Sequence, residues 1–302
     1  MSSSAPESSS NNNNNNPPPP SPKNPHAQFA QYPSLKSKII LITGGAEGIG
    51  ASCVSQFAHQ NSQVLFLDIS TSSAHHLISR LREEGVSPLP IFYHCDVTNL
   101  PQLQSVCEEI LQTFGKVDVL VNNAAAAGQL AREATQDVTE ETFQWGVNVN
   151  LRHILFLTKW IAHSMISSSS SENDTTTTSP TRTGGSIINM GSITWRIPST
   201  GVPVYAMCKA AIMGLTRTHA REFGTHGIRV NSVLPGSIAT ARQLEEVLSD
   251  EKYVRETLEA QALKRMLGPD EVGRLVLFLA SEDASAITGS NYVCDGGWVG
   301  DV

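Results

Sequence analysis

The 302-residue sequence is short of cysteine, of positive charge and of long apolar runs. Its five cysteines are scattered and lack C-x-x-C spacing, which argues against a disulfide framework and a cysteine zinc site. A net charge of −7 argues against nucleic acid or an anionic membrane as the main partner. No apolar run approaches the ~20 residues of a membrane span, and no signal or transit peptide pattern is present. We therefore expect a cytoplasmic protein without a nucleic-acid or membrane partner.

Metal-ligand spacing is lacking as well. The histidines considered as metal ligands are His153, His163, His219 and His226. They fall on separate predicted helices and loops, and zinc sites need ligands at short, regular spacing. We therefore predict no metal site.

Two segments are low in complexity. Residues 1–36 are mainly Ser, Asn and Pro, with six asparagines followed by four prolines. Such a composition cannot bury enough apolar surface to offset the entropy of ordering, so we predict a disordered tail. Residues 167–183 are similar, and we predict an expanded surface loop there, because the entropy of loop closure grows slowly with length. We assign neither segment a function.

Short apolar strands alternate with amphipathic helices along the rest of the chain. The strand patterns lie at residues 38–43, 63–68, 90–94, 117–122, 185–189, 228–233 and 291–294. The helical patterns lie near residues 48–60, 72–84, 99–114, 137–166, 204–223 and 269–280. This alternation predicts an α/β fold in one domain, residues 37–302: a Rossmann-type, doubly wound, parallel seven-stranded sheet with helices on both faces. Ligands of such sheets bind at the carboxyl ends of the strands, where strand order reverses.

The spacing of Tyr205 and Lys209 is the most informative pattern in the chain. Four residues apart in a predicted helix, the phenol and the ammonium share one face. A tyrosine titrates near pH ~10, and a neighbouring cation lowers its pKa toward the working range of a base. Ser192, thirteen positions before the tyrosine, would then hold the oxygen of an alcohol or carbonyl. The pair alone also fits a chance meeting on a surface helix, so the rest of the chain has to decide.

A glycine-rich turn joins the first predicted strand to the first helix. Asp68 ends the second strand, where a carboxylate accepts hydrogen bonds from an adenosine ribose and repels a 2′-phosphate. Glu47 adds a second negative charge within the turn. These charges favour NAD over NADP, although Asp68 also suits a simple strand-end cap. Glycine lets a pyrophosphate approach the helix N-terminus, and the turn contains Gly44, Gly48, Ile49 and Gly50.

Polar residues also end the third and fourth predicted strands. Asp96 is followed by Val97, and Asn122 closes the next strand along the chain. The carboxyl edge of the sheet is where the adenine and the nicotinamide ribose would lie, so we predict cofactor contacts there. Turn chemistry is the alternative, because Asp and Asn suit strand ends in any case.

Taken together, these motifs resemble the short-chain dehydrogenases/reductases over about residues 37–300. The resemblance rests on Gly44 to Gly50, Asn122-Asn123-Ala124, Ser192, Tyr205-x-x-x-Lys209 and Asn231-x-Val233-x-Pro235-Gly236. It implies that Tyr205 is the acid/base, that Ser192 positions the substrate oxygen, and that Lys209 lowers the tyrosine pKa and binds the nicotinamide ribose. It also implies a proton-relay water on Asn150, with Asn148 as the rival position. Further cofactor contacts implied by the resemblance are Pro235, Gly236, Ile238 and Thr240.

Two other features follow from the resemblance. The long helices before and after the fifth strand pack against symmetry mates in this family, which implies a homodimer or homotetramer. Ala125 stands where the family usually has glycine, a change that is tolerable unless the backbone φ is positive.

Residues 244–267 read as one or two amphipathic helices, either an ordinary surface pair or a mobile segment closing over a substrate.

A finer resemblance is to NAD-dependent aldose 1-dehydrogenases, which oxidise sugars at the anomeric carbon to lactones. It rests on the residues after Ser192, on Thr240 to Gln243, and on the C-terminal Asp295-Gly296-Gly297-Trp298. Trp195 would cover a face of the sugar ring, and Arg196 and Arg242 would donate to its hydroxyls, although Trp195 also suits loop packing. The alternatives are a polyol, steroid or 3-oxoacyl secondary alcohol as the small-molecule substrate, or a non-catalytic NAD-binding module.

Overall fold

Seven parallel strands form the centre of the molecule. The structure, a computed structural model, describes residues 29–127, 131–170 and 184–300. Pairing runs in the order β3-β2-β1-β4-β5-β6-β7, so strand order reverses between β1 and β4. This confirms the predicted doubly wound, seven-stranded sheet. The strands are β1 Ile39–Thr43, β2 Gln63–Asp68, β3 Ile91–His94, β4 Val119–Asn122, β5 Gly185–Met190, β6 Ile228–Pro235 and β7 Asn291–Cys294.

Helices cover both faces of this sheet. Most of them connect successive strands, as crossovers between parallel strands require. No helix in the described ranges combines the length and the apolar character that a membrane crossing demands. The α-helices are α1 Gly48–His59, α2 Thr71–Glu83, α3 Leu100–Phe114, α4 Glu140–Val147, α5 His153–Ser170, α6 Pro203–Phe223, α7 Ala241–Glu246, α8 Glu251–Ala260 and α9 Pro269–Ala280.

Two hydrophobic cores lie on opposite faces of the sheet. Successive side chains of a strand point to opposite faces, so Ile40 and Ile42 belong to one core and Leu41 to the other. Helices α1, α2 and α9 cover the first core, which includes Phe57 and Val276. Helices α3, α5 and α6 cover the second. Burial on both faces explains why the strands read as nearly continuous apolar runs.

The predicted helix over residues 137–166 differs from the observed one. The observed helical segment begins at Glu140 in α4, passes through a π-helical turn at Asn148–Arg152, and continues as α5 to Ser170. A π turn adds one residue to the helical repeat, a feature that hydrophobic periodicity does not reveal. Residues 167–170 of the predicted loop belong to α5, and residues 171–183 lie outside the described residues.

The start of the ordered domain also differs from the prediction. Pro33–Leu35 forms a 3-10 helix inside the segment predicted to be a disordered tail. Leu35 is buried in the first core, and its carbonyl oxygen accepts a hydrogen bond from the Ser62 hydroxyl. The predicted boundary at residue 36 is thus several residues too late, because one leucine anchors the chain there. Residues 1–28 of the predicted tail lie outside the described residues.

Candidate active site

A cavity of about 1480 Å³ opens at the carboxyl ends of the central strands. Gly44 and Asp68 border one end of it, and Ser192, Tyr205 and Lys209 border the other. It lies where the strand order reverses between β1 and β4, the position expected for ligands in a doubly wound sheet. The fold therefore brings the predicted cofactor and proton-transfer residues to one cavity.

The proton-transfer residues meet where β5 ends and α6 begins. Pro203 starts α6, which gives Tyr205 and Lys209 their shared helical face. The Lys209 Nζ lies 5.4 Å from the centroid of the Tyr205 ring and donates a hydrogen bond of 2.8 Å to the Met190 carbonyl oxygen. The Ser192 hydroxyl pairs with the Thr194 hydroxyl at 2.7 Å. One serine, one phenol and one amine thus face the same cavity.

Burial dominates the acid–base properties of this group. It raises the pKa of Tyr205 above its usual value, and a hydrogen bond from Ser192 offsets part of that rise. Burial also lowers the pKa of Lys209 to about 8. The sequence predicted that Lys209 would lower the pKa of Tyr205. The rise of the pKa comes from burial, so the effect of Lys209 stays a prediction.

Asn150 is buried within the π-helical turn beneath this site. Its side chain accepts a hydrogen bond from the Ala126 backbone at 3.2 Å and donates one to the Gly146 carbonyl at 2.9 Å. π turns often occur at functional sites because they displace one residue from the helical register. The side chain of Asn150 thus fixes the turn. A relay water on Asn150 stays a prediction.

The glycine turn fits the pyrophosphate of a dinucleotide. Gly44 and Gly48 have φ values of 65° and 58°, which favour glycine. A Cβ on Gly50 would overlap the Gly44 carbonyl and lie 2.6 Å from the Asn123 side-chain nitrogen. Glu47, at the N-cap of α1, makes no side-chain capping bond, which leaves the first amides of the helix open to an anion. Ile49 borders the cavity beside them.

Asp68 supports the turn as well as bordering the cavity. Its two carboxylate oxygens accept hydrogen bonds of 2.9 Å from the backbone amides of Ala46 and Ser70. A carboxylate has about four acceptor positions, so capacity remains for ribose hydroxyls. The charge of Glu47, by contrast, is paired with Arg242 at 3.3 Å. Of these two carboxylates, Glu47 is therefore the one whose charge is partly neutralised by an arginine.

The remaining predicted cofactor residues divide into two groups. Asn122 is buried in the core, where its amide donates to Thr158 at 3.1 Å and to Asn189 at 2.8 Å. It does not border the cavity, which corrects its predicted cofactor contact: a buried amide at a strand end first has to satisfy its own hydrogen bonds. The residues that do border the cavity as predicted are Asp96, Val97, Pro235, Gly236, Ile238 and Thr240.

Two of the three predicted substrate residues, Trp195 and Arg196, do not border the cavity. The Trp195 indole nitrogen is buried, and the Arg196 guanidinium donates a hydrogen bond to the Gly300 carbonyl at 3.3 Å. Arg242 borders the cavity, but its bond to Glu47 holds it beside the glycine turn. Although these residues are close in sequence to Ser192 or Gly236, that closeness did not predict the positions of their side chains.

Sequence reasoning missed the aromatic residues of the substrate end. Trp145 from α4, Tyr253 from α8 and Trp298 after β7 all border the cavity. They come from elements far apart in the chain, so no local pattern joins them. The only signal was the position of Trp298 directly after two glycines, a sequence typical of a tight turn.

A buried histidine lies behind the site. His153 is 0% exposed. Burial and, to a smaller extent, the nearby charge of Lys209 lower its pKa to about 3, and a backbone hydrogen bond at Asn148 offsets part of that fall. No group of three His, Cys, Asp or Glu side chains able to hold a metal ion occurs in the described ranges.

Known proteins similar to this chain are oxidoreductases. A family profile described as enoyl-(acyl carrier protein) reductase matches residues 44–299. A D-xylose 1-dehydrogenase of Caulobacter vibrioides is 41% identical over 269 residues, which cover 89% of this chain and 98% of the relative. A 3-oxoacyl-(acyl-carrier-protein) reductase of Thermotoga maritima is 34% identical over 267 residues, 88% of this chain and 99% of the relative.

A solved structure supports the same relationship. The ligand-free aldohexose dehydrogenase of Thermoplasma acidophilum superposes with a TM-score of 0.72 at 28% identity, covering 88% of this chain and 96% of that one. The profile spans most of the domain, and the relatives align along nearly their whole length. The chain therefore belongs to the short-chain dehydrogenase/reductase family, whose members are oxidoreductases that act on CH–OH groups.

Proposed function

We propose that the protein is an NAD-dependent aldose dehydrogenase that oxidises a sugar at C1 to a lactone. The observation that carries this proposal is the convergence of Ser192, Tyr205 and Lys209 on the cavity that continues to the glycine turn. The similarity to a D-xylose 1-dehydrogenase along 98% of that relative supports a sugar as the substrate.

The chain's own residues would handle the proton and the oxygen. A bound nicotinamide supplies the hydride acceptor. Ser192 would hold the C1 hydroxyl by a hydrogen bond, and Tyr205 would remove its proton as the carbonyl forms. A charged Lys209 ammonium would stabilise the Tyr205 phenolate, so a larger fraction of the tyrosine would be deprotonated and ready to accept the proton. Asn150 would then hold a water that passes the proton toward solvent.

The charges at the adenosine end support NAD over NADP. Asp68 borders the cavity, and its carboxylate would repel a 2′-phosphate. Arg80 also borders the cavity and offers the opposite charge, but Glu84 lies 3.7 Å from it. Titration of both cofactors decides this point: stronger binding of NADP would contradict the proposed preference.

The charges at the other end favour an uncharged substrate. Glu245, Glu246 and Glu256 border the cavity, against Lys209 and Arg132 as the cations that are not held near the glycine turn by Glu47 or near Glu84. A carboxylate or phosphate group on the substrate would face a negative field. A neutral sugar meets no such repulsion, and hydroxyl groups can donate hydrogen bonds to carboxylates. The second candidate, a 3-oxoacyl reductase, is less compatible with these charges.

Exposed apolar residues support a homo-oligomer. Leu155 on α5 and Met207 on α6 are each 44% exposed. They lie on the long helices that flank β5, and large exposed apolar residues are typical of contact surfaces. A homodimer or homotetramer through these helices is part of the proposal. The cytoplasmic location stays a prediction from the sequence.

Replacement of Tyr205 tests the proposed chemistry. NADH absorbance is followed with a panel of aldoses beside a panel of polyols and secondary alcohols. We expect the fastest turnover with an aldose, and Tyr205→Phe should lower kcat by about three orders of magnitude because the proton acceptor is lost. NAD binding should stay the same, since the phenol hydroxyl is not needed for it.

Tyr292→Phe is the matched control, because this tyrosine packs against the core and does not border the cavity. It should retain wild-type kcat. Full activity of Tyr205→Phe would contradict the proposed role, and an absence of NADH formation with every panel member would favour a non-catalytic binding module.

A further inference from the structure

The C-terminal turn after β7 brings Trp298 to the cavity. The residues on either side of Trp298 in the chain show at which end of the cavity it lies. Asp295 packs against Gly236, where an added Cβ would lie 2.7 Å from the aspartate side chain. On the other side, the Gly300 carbonyl accepts a hydrogen bond from Arg196, four residues after Ser192. Trp298 therefore lies at the Ser192 end of the cavity and not at the Asp68 end.

The backbone on both sides of Trp298 is held by one buried carboxylate. Asp295 is 4% exposed and accepts hydrogen bonds from the Gly297 amide at 2.8 Å and the Val299 amide at 2.7 Å. Gly296 and Gly297 have φ values of 68° and 80°, a conformation that favours glycine. Since the amides directly before and after the tryptophan are fixed, its position is set before any ligand arrives.

We infer that Trp298 is a substrate-positioning residue whose indole forms the wall against the C–H face of a sugar ring. This inference rests on the proposed function and deepens it. An aromatic ring has a negative face, and the C–H bonds along one side of a sugar ring are its apolar and weakly positive side. The contact therefore holds a sugar in one orientation while its hydroxyls point toward polar groups.

Two other tryptophans are weaker candidates for this wall. Trp195 does not border the cavity, and its indole nitrogen is buried. Trp145 borders the cavity, but it is 43% exposed on the short helix α4. Trp298 alone combines a place on the cavity wall with a backbone fixed by a buried side chain.

Two substitutions of Trp298 test the inference by steady-state kinetics and NAD titration. The wild type is first assayed with the sugar and alcohol panels, which tests the proposed function by itself. For the panel member that it oxidises fastest, Trp298→Leu should raise KM about tenfold with kcat nearly unchanged, because binding common to ground and transition state is lost. Trp298→Phe keeps an aromatic face and should restore most of the affinity. The Kd for NAD should not change in either variant.

Trp160→Phe is the matched control, because it alters a tryptophan on α5 that packs against the second core and does not border the cavity. It should leave KM within about twofold of the wild type, a change too small to indicate a lost contact. The inference is overturned if Trp298→Leu keeps the wild-type KM, or if Trp298→Phe has a KM as high as that of Trp298→Leu. It is also overturned if the affinity for NAD falls together with the affinity for the substrate. Thermal melting of each variant separates loss of folding from loss of binding.

Discussion

The two ends of the cavity are built in different ways. One continuous stretch, residues 44–68, supplies the glycine turn and Asp68 to the cofactor end. The substrate end takes its wall from separate segments, among them Trp145, Tyr253 and Trp298. Binding of a pyrophosphate relies on backbone amides and hence on glycine, which a local sequence can specify. Recognition of a sugar relies on side chains, which many combinations of distant residues can provide.

The ends also differ in how firmly they are packed. Around the glycine turn, added atoms would collide with backbone, as at Gly50, where a Cβ would meet the Gly44 carbonyl. The segment around α7 and α8 instead exposes Leu244 by 53% and Leu263 by 50%. Substitutions at the cofactor end should therefore weaken NAD binding strongly. Substitutions at the substrate end should change substrate binding by smaller factors.

The largest effect is expected from Gly50→Ala, which tests the rigidity of the cofactor end. The added methyl group has to displace the Gly44 carbonyl or the Asn123 amide. We expect the Kd for NAD to rise about a hundredfold, the equivalent of about 3 kcal/mol, as in overpacked sites. Isothermal titration with NAD measures this change.

Gly224→Ala is the matched control, because a Cβ at Gly224 has open space and its φ is −59°. It should leave NAD binding as in the wild type. Equal loss of NAD affinity in both variants, or none in Gly50→Ala, would contradict the rigidity inferred for the glycine turn.

The same contrast explains what could be predicted from the sequence. The strands and the glycine turn follow from local periodicity and from residues close together in the chain, so the fold and the position of the glycine turn were predictable. Tyr205 and Lys209 were placed correctly because helical spacing is itself local. Trp298 was missed as a contact because its place depends on Asp295 and Gly236, which meet only in the folded sheet.

Burial was the second quantity that the sequence did not provide. Spacing predicted that Lys209 lies near Tyr205, which is correct, but not that desolvation raises the pKa of the phenol. For Asn122, its place at a strand end suggested a cofactor contact, whereas Thr158 and Asn189 engage the amide in the core. Neither feature could be predicted, because desolvation and hydrogen-bond partners depend on residues distant in sequence.

An intermediate effect is expected from His153→Met, which replaces the buried histidine near Lys209. The pKa of His153 is about 3 in the folded protein and 6.5 when solvated. Between these values the unfolded chain binds a proton that the folded chain does not, so stability falls as pH falls below 6.5. From pH 7 to 5, denaturant unfolding should show the wild type losing about 2 kcal/mol more than the variant.

His163→Met is the matched control, since His163 is exposed on the same helix, α5. It should lose stability with acid as the wild type does. An equal acid dependence in His153→Met and the wild type would show that this histidine protonates without cost.

The smallest effect is expected from Asp250→Ala, which tests the looser substrate end. Asp250 caps α8 by accepting hydrogen bonds from the Lys252 amide at 2.8 Å and the Tyr253 amide at 3.4 Å. Loss of the cap should cost about 1 kcal/mol, enough to raise amide exchange within α8 about fivefold. Since Tyr253 borders the cavity, KM for the substrate should rise by the same modest factor or less.

Asp250→Asn should restore slow exchange, because an asparagine oxygen caps a helix about as well. Exchange in α1, at the cofactor end, serves as the internal reference and should not change in either variant. If α1 and α8 exchanged faster together, the two ends would open as one unit. The cap of a surface helix would then affect cofactor binding as much as substrate binding, and the contrast between a rigid and a looser end would be wrong.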